Sequence, residues 1–484
     1  MLKLVGFLNG IIWSKALIYL CLGTGVYFSI KMRFLQVRHF KHMFNLLVGE
    51  KGSDKGVSSF QALAISVSGR VGTGNIAGVA TAIALGGPGS IFWMWTIAFL
   101  GAGSAFVESA LAQVYKKEHN GEYRGGPAYY IEKGLGINWY AMLFAIATFI
   151  ALGMLLPGTQ SNSIALAMEN AYGINPYISG AVLIVAFAMV IFGGVKRIGK
   201  VAEIVAPFMA TGYIIVALLI IFMNITKLPA VIALIFKSAF AVHPVFGGII
   251  GMAISWGVKR GIFSNEAGQG TGAHPAAAAE VSHPAKQGLV QAFSVYIDTL
   301  FVCSATAFMI LITGMYNVEN SAGGFLVNNL PGVGIGPEYT QLAVESVFPA
   351  FGSGFVAISL SLFAFTSLLA FYYNAETNAV YLEEKLNVKG LVMALRVIIV
   401  AATFYGAIKT ATLAWGLADI GVGMMAWINI IAILLLRKPA FKVLKDYESQ
   451  LKAGKEPVFD PVELGIENAE FWISAKPSEE KTAE

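Results

Sequence analysis

The stretch Ser66-Val-Ser-Gly-Arg-Val-Gly-Thr-Gly-Asn-Ile-Ala-Gly78 puts Gly69, Gly72, Gly74 and Gly78, with Arg70 and Asn75, in the middle of an apolar run from about residue 60 to residue 85. In lipid an unsatisfied backbone N–H or C=O costs several kcal/mol. A helix weakened at mid-membrane therefore implies that its freed amides and carbonyls hold a small polar solute or an ion. A second glycine-broken run, residues 247–272, follows about half a chain later. Paired breaks of this kind point to the binding site of a secondary transporter.

Working outward, the 484 residues are 56% hydrophobic and only 13% charged, with a mean hydropathy of +0.68. Soluble domains carry about 25% charged residues. The fold class is an all-α polytopic membrane protein, since the apolar runs are long rather than short and alternating. The two cysteines, Cys21 and Cys303, both lie in apolar runs, which excludes a disulfide framework. The N-terminus has no clear signal-cleavage site and reads as a retained first helix.

Eleven spans of roughly the 20-residue length a bilayer requires can be read. They cover residues 11–31, 58–88, 90–115, 141–170, 177–194, 203–223, 245–278, 287–315, 341–374, 389–408 and 411–437. Alternate connections and the C-terminal tail hold 24 of the 33 Lys and Arg residues; the opposite side holds Lys3, Lys227, Lys237 and Lys409. That asymmetry predicts an external N-terminus and a cytoplasmic C-terminus. The basic segment 33–55 is expected on the inner membrane surface, and the tail is expected to fold back on the cytoplasmic face.

Without the first helix, ten spans remain, five beginning with each broken run, in opposite orientations. This is the arithmetic of an inverted-topology repeat. The expected organisation is 1–57 for the N-terminal helix and basic segment, 58–223 for the first repeat, 224–437 for the second, and 438–484 for the tail.

Gly72-Thr-Gly-Asn-Ile-Ala77 fits a dinucleotide fingerprint in form alone. That motif needs a preceding strand and an acidic residue about 20 positions on, where this chain has Ile97. Two readings remain. One is a nest of backbone N–H groups for a substrate carboxylate; the other is close helix packing at Gly74-x-x-x-Gly78. Opposite it, Ile262, Phe263, Ser264 and Asn265 would line a pocket, with Glu266 balancing Arg70 or a nearby base. Alternatively, residues 259–269 form a loop between two helices. Thr366 and Ser367 either join backbone carbonyls in an all-oxygen cation site or bond the carbonyl one turn back. Gln160 either meets substrate or mends the Pro157-Gly158 kink. Asp298, Glu108, Glu203 and Asp419 read as structural ion pairs or interfacial residues more readily than as coupling groups.

Ser68-Gly-Arg-Val-Gly-Thr-Gly-Asn-Ile-Ala-Gly78 with Phe92-Trp-Met-Trp95, Arg124-Gly-Gly-Pro-Ala-Tyr-Tyr-Ile131 and Arg260-Gly-Ile-Phe-Ser-Asn-Glu-Ala-Gly-Gln-Gly270 resemble the alanine or glycine:cation symporter family. The resemblance runs from about residue 11 to the tail. Ala128 replaces an expected methionine. It implies a leucine-transporter-type 5+5 inverted repeat with one extra N-terminal helix. It also implies that the backbone of Gly72, Thr73, Gly74 and Asn75 takes the amino-acid carboxylate. Carbonyls of Ser68, Val71 and Phe363 and hydroxyls of Thr366 and Ser367 would hold sodium. Trp256, Ile262 and Phe263 would limit the substrate to alanine or glycine size. Arg70 stands where relatives place a small residue of a second sodium site, leaving Asn75 as a candidate ligand there.

The expected function is sodium-coupled import of alanine and glycine by alternating access in the plasma membrane. Sodium is co-transported, and no resident cofactor or nucleic-acid partner is expected. Proton coupling through Glu266 or Asp298 is the alternative within transport, and a channel is the alternative outside it. An enzyme is disfavoured because no nucleophile–base pair, metal cluster or competent phosphate loop is visible.

Overall fold

The computed structural model describes residues 1–47, 56–243, 245–320 and 322–474. Residues 48–55 of the basic segment and 475–484 of the tail lie outside them. The regular secondary structure of the described residues is helical apart from two short antiparallel hairpins, Lys117–His119 with Glu122–Arg124 and Asn317–Glu319 with Phe325–Asn328.

Among the described residues, six helices are long and apolar enough to cross a membrane: Gly89–Val114, Asn138–Tyr172, Arg197–Met223, Pro284–Thr313, Gly352–Leu386 and Ala411–Leu435. Leu2–Ile12 and Lys15–Lys31 pass the same test as a pair bent by 41°. Pro176–Ile191 and Leu391–Ala407 are shorter apolar helices. Arg197–Met223 turns Ile204, Phe208, Leu218 and Phe222 outward, as a helix facing acyl chains does.

Three expected boundaries need correction. The run 341–374 is not one span: Glu338–Glu345 is a separate helix, and Gly352–Leu386 continues well beyond residue 374. Its extension carries Asn374, Glu376, Thr377 and Asn378, all buried. Polarity there marks an interior surface, not the end of a helix. Leu228–Ala239 is an apolar helix that the span list omits. The alternative of a loop over 259–269 holds only for 266–269, because Ile250–Asn265 is helical through Lys259 and Arg260.

Both glycine-rich runs are broken. The first begins with a capping box, in which Ser58 Oγ accepts from Gln61 N and Gln61 Oε1 accepts from Ser58 N. Ser59–Arg70 is α-helical, Val71 is extended, and the chain resumes at Gly74 as a π turn leading into Val79–Gly86. The second break follows Asn265 with Glu266 in the left-handed region, φ 57°. Helix returns at Ala273–Ala278. Gly270, at φ +83°, is held to glycine on two counts: a Cβ there would also lie 2.3 Å from Pro127 Cγ.

The tail folds back as expected. Arg437–Lys452 packs Val443, Leu444 and Tyr447 inward. Phe459 N donates to Ser282 O at 3.0 Å, and Trp472 Nε1 donates to Gln113 O at 2.9 Å.

Candidate functional site

The two breaks face each other. A Cβ added at Gly74 would lie 3.1 Å from Ser264 Cα and 3.2 Å from Phe263 Cδ1. Gly72 is pressed from the other side, with its would-be Cβ 2.3 Å from Ser367 Oγ and 3.1 Å from Gln160 Oε1. Three helices therefore converge on residues 71–75.

The amides of this stretch are already engaged. Asn75 Oδ1 accepts from Gly72 N at 2.8 Å, and Gln160 Oε1 accepts from Thr73 N at 3.1 Å. Gln160 thus presents a carbonyl oxygen where the sequence places a substrate carboxylate. Its amide does not mend the neighbouring kink but reaches across to the break.

Beside Gly72 lie the expected sodium ligands. Ser367 Oγ lies within hydrogen-bond reach of Ser68 O at 2.9 Å, Phe363 O at 3.0 Å and Val71 O at 3.4 Å, with one proton to donate among them. Thr366 Oγ1 donates to Phe363 O at 3.0 Å. The bond one turn back is present, and Ser367 also reaches carbonyls of the first broken helix. Three carbonyls and two hydroxyls form an all-oxygen cluster of the kind a hard cation takes.

Above the site, Arg260 binds Asp419 through two bonds of 2.9 and 3.0 Å, and Lys259 adds a third at 2.7 Å. The Arg260 guanidinium lies 4.5 Å over Trp415, 5.2 Å over Trp256 and 5.5 Å over Phe263. Phe263 packs on Trp415 at 4.9 Å. Asp419 is thus the structural ion pair that the sequence suggests. Ile262 and Asn265 are turned into their own break. Ile262 O accepts from Gln269 Nε2 at 2.7 Å, and Asn265 Oδ1 accepts from Ala267 N at 3.0 Å. Among the described residues, neither bonds to residues 72–75.

Three groups that the sequence reading undervalues hold the breaks in place. Asp298 accepts from Asn75 Nδ2 and Thr299 Oγ1, both at 2.6 Å, and from Ser264 Oγ at 3.0 Å. It therefore ties both breaks together, is buried rather than interfacial, and has no ion pair among the described residues. Glu108 Oε2 accepts from Gly270 N at 3.1 Å and from Asn429 Nδ2 at 2.8 Å, while Asn429 also donates to Gly268 O at 2.9 Å. Tyr130 donates to Asn429 Oδ1. The available signal was a carboxylate and an amide inside apolar spans, which is costly unless functional or buried. Arg70 donates through Nη1 to Gln291 O at 3.1 Å and to Ser294 Oγ. Its Nε and Nη2 have no hydrogen-bond partner among the described residues. Glu266 accepts from Thr271 Oγ1 at 2.8 Å and makes no direct bond to Arg70 among the described residues.

A model of the sodium:alanine symporter family matches residues 1–461. The chain is 64% identical over 472 residues to a putative sodium/proton-dependent alanine carrier protein of Bacillus subtilis, covering 98% of both chains. It is 54% identical to the sodium/proton-dependent alanine carrier protein of Bacillus sp. (strain PS3), covering 89% of this chain and 97% of that one. It is 38% identical to the sodium/alanine symporter of Methanococcus maripaludis, over 90% and 94% of the two chains. Among solved structures, an outward-open Na+-coupled sialic acid symporter matches with a TM-score of 0.52 over 97% of each chain. At 13% identity, that likeness shows the fold alone.

Proposed function

The chain belongs to the sodium:alanine symporter family, and from that premise we propose that it imports alanine, and glycine by the same pocket, with sodium by alternating access. It is a transporter, not an enzyme. The observation that carries the mechanism is the shared wall at Gly72. A single Cβ position at Gly72 would lie 2.3 Å from Ser367 Oγ of the oxygen cluster and 3.1 Å from Gln160 Oε1 at the carboxylate position, so the two meet at one point of the break. Sodium drawn in by Ser68, Val71, Phe363, Thr366 and Ser367 fixes the carbonyl end of the break. The same break then presents its amides in one orientation. Alanine's carboxylate displaces Gln160 Oε1 from Thr73 N, and its methyl group fits beneath Phe263. Coupling follows because each ligand favours one state of the same segment, and it is reciprocal.

The Arg260–Asp419 pair, with Trp256, Phe263 and Trp415, serves as the outer roof. Two inverted repeats, 58–223 and 224–437, supply the two broken helices. The segregation of basic residues supports an external N-terminus and a cytoplasmic C-terminus in the cell membrane.

The test is labelled-alanine uptake into proteoliposomes under an inward sodium gradient, with choline and pH-gradient controls. Accumulation above the outside concentration that requires sodium is the expected result. Equilibration without accumulation would show a channel instead.

A further inference from the structure

Outside the transport site, a cavity of about 420 Å³ opens where the tail helix Arg437–Lys452 meets the end of Lys15–Lys31. Lys445, Glu448 and Lys452, spaced three and four residues apart, share one face of the tail helix. Lys31, Arg33 and Arg38 line the same cavity from the other end of the chain, so five cations and one carboxylate surround it. The carboxylate is already engaged: Glu448 accepts from Arg38 at 2.8 Å and lies 2.9 Å from His39 Nε2. Arg38 also donates to Met32 O at 2.9 Å and to Arg33 O at 2.7 Å. Among the described residues, Lys31, Arg33, Lys445 and Lys452 make neither an ion pair nor a side-chain hydrogen bond. The basic rim is exposed, whereas the floor is apolar. Met32 and Leu444 are buried there, and Phe441 packs on Phe28 with ring centroids 6.1 Å apart. The chain turns at Arg33 and Phe34, both in the left-handed region at φ 54° and 52°. Phe34 and Val37 are left exposed beside the rim. Apolar side chains set among cations at the end of a span mark a membrane–water boundary.

We propose that this cavity binds the headgroup of an anionic glycerophospholipid of the inner leaflet. The inference goes beyond the transport reading and takes from it only the cytoplasmic placement of the tail. Four cations without a counter-ion are brought together from two ends of the chain. Their mutual repulsion opposes docking of the tail helix unless an anion sits between them. A phosphodiester supplies that charge and accepts from both guanidinium and ammonium donors. Soluble phosphate would satisfy the rim and leave the floor unused. A lipid uses both. Its phosphate sits at the rim, and its glycerol backbone and first methylenes rest on Met32, Phe441 and Leu444. Its acyl chains then run along Val26 and Ile30, which the same span turns outward. Bound in this way, the lipid joins the end of the span to the tail helix. Lipid binding and tail docking therefore favour each other reciprocally.

The experiment is native mass spectrometry of the full chain in detergent, titrated with phosphatidylglycerol. Phosphatidylcholine with the same acyl chains is the control without net charge. The expected result is one saturable phosphatidylglycerol, with phosphatidylcholine bound more weakly. Each basic residue near an anionic lipid contributes about fivefold in affinity. Lys31→Gln with Arg33→Gln, and separately Lys445→Gln with Lys452→Gln, should therefore each weaken binding roughly 30-fold. Using two pairs on different segments guards against misfolding of either variant. Lys200→Gln with Lys389→Gln removes the same charge from exposed positions on the same proposed side, and should leave binding unchanged. An equal loss in that control pair would reduce the effect to general surface attraction and overturn the site. Equal affinity for phosphatidylcholine overturns it too. So does displacement of the lipid by inorganic phosphate at comparable concentration, which would assign the cavity to a soluble anion. In nanodiscs, phosphatidylglycerol should slow trypsin at Lys445 and Lys452 in the wild type. It should not do so in Lys31→Gln with Arg33→Gln, which keeps both cleavage points. Equal protection in both proteins would disconnect the lipid from the cavity. None of these readouts involves alanine or sodium, so failure of the symport reading would leave them unchanged.

Discussion

At residue scale, the binding region depends on how closely Gly72 approaches two polar side chains. Its hydrogen allows a contact with Ser367 Oγ that a methyl group would bring to 2.3 Å. Gly72→Ala overpacks this junction by about 1–3 kcal/mol. Sodium-driven uptake should be lost while the purified protein remains monodisperse. Uptake at the wild-type rate would remove Gly72 from the coupling path. The hydroxyl pair has a more specific role. A hydrogen bond or ligand contact to a charged group is worth about 1.5–3 kcal/mol, and 1.4 kcal/mol is tenfold in affinity. Thr366→Ala with Ser367→Ala should raise the sodium concentration for half-maximal uptake at least tenfold. An unchanged sodium curve would falsify the assignment of these oxygens. Much of this was legible locally. Glycines, Arg70 and Asn75 inside an apolar run signal a broken helix, and adjacent Thr366 and Ser367 signal oxygen ligands. Asp298 was visible only as an intramembrane carboxylate, because its three donors come from three different parts of the chain.

At the scale of elements, each break is held by a distant helix. Glu108 and Asn429 bracket the second one by binding Gly270 N and Gly268 O. Asn429→Ala leaves Gly268 O, Tyr130 and Glu108 short of a partner. Each buried unsatisfied group costs about 1–3 kcal/mol. The variant should melt several degrees lower and transport more slowly, and Asn429→Asp should not restore it because Glu108 is already acidic. The tail offers a pH test outside the membrane. His283 is buried between Tyr447 and Phe459, accepts from Ala285 N, and lies 3.1 Å from Asp446. Burial holds its pKa below the ordinary value, although Asp446 pulls the other way. The docked state then binds fewer protons than the released one, so docking is strongest above about pH 6.5 and weakens as pH falls below it. Limited proteolysis of the tail should accelerate on acidification. Substituting His283 with Gln should flatten that dependence. These brackets were not legible in the sequence. Glu108 lies 162 positions from the amide it holds, and no local pattern announces a pairing of that range.

At the scale of the whole molecule, topology should be readable by protease. The tail contains Lys442, Lys445 and Lys452 on a surface helix. Trypsin should cut it in inside-out vesicles and spare it in right-side-out ones. The reverse pattern would invert the orientation that the basic residues predict. The sequence by itself determined that this chain lives in a membrane, since 56% hydrophobic residues in long runs leave no other stable solvent for it. It also determined where two of its helices break, because glycine and polar residues at mid-span act through local backbone cost. Only the tertiary structure decided which groups meet at those breaks. Gln160 against Thr73, Ser367 against Ser68, and Asp298 between Asn75 and Ser264 are contacts between residues 34 to 299 positions apart. Such contacts are selected by the packing of helix faces and by the need to satisfy every buried polar group, neither of which is written in any one stretch of chain.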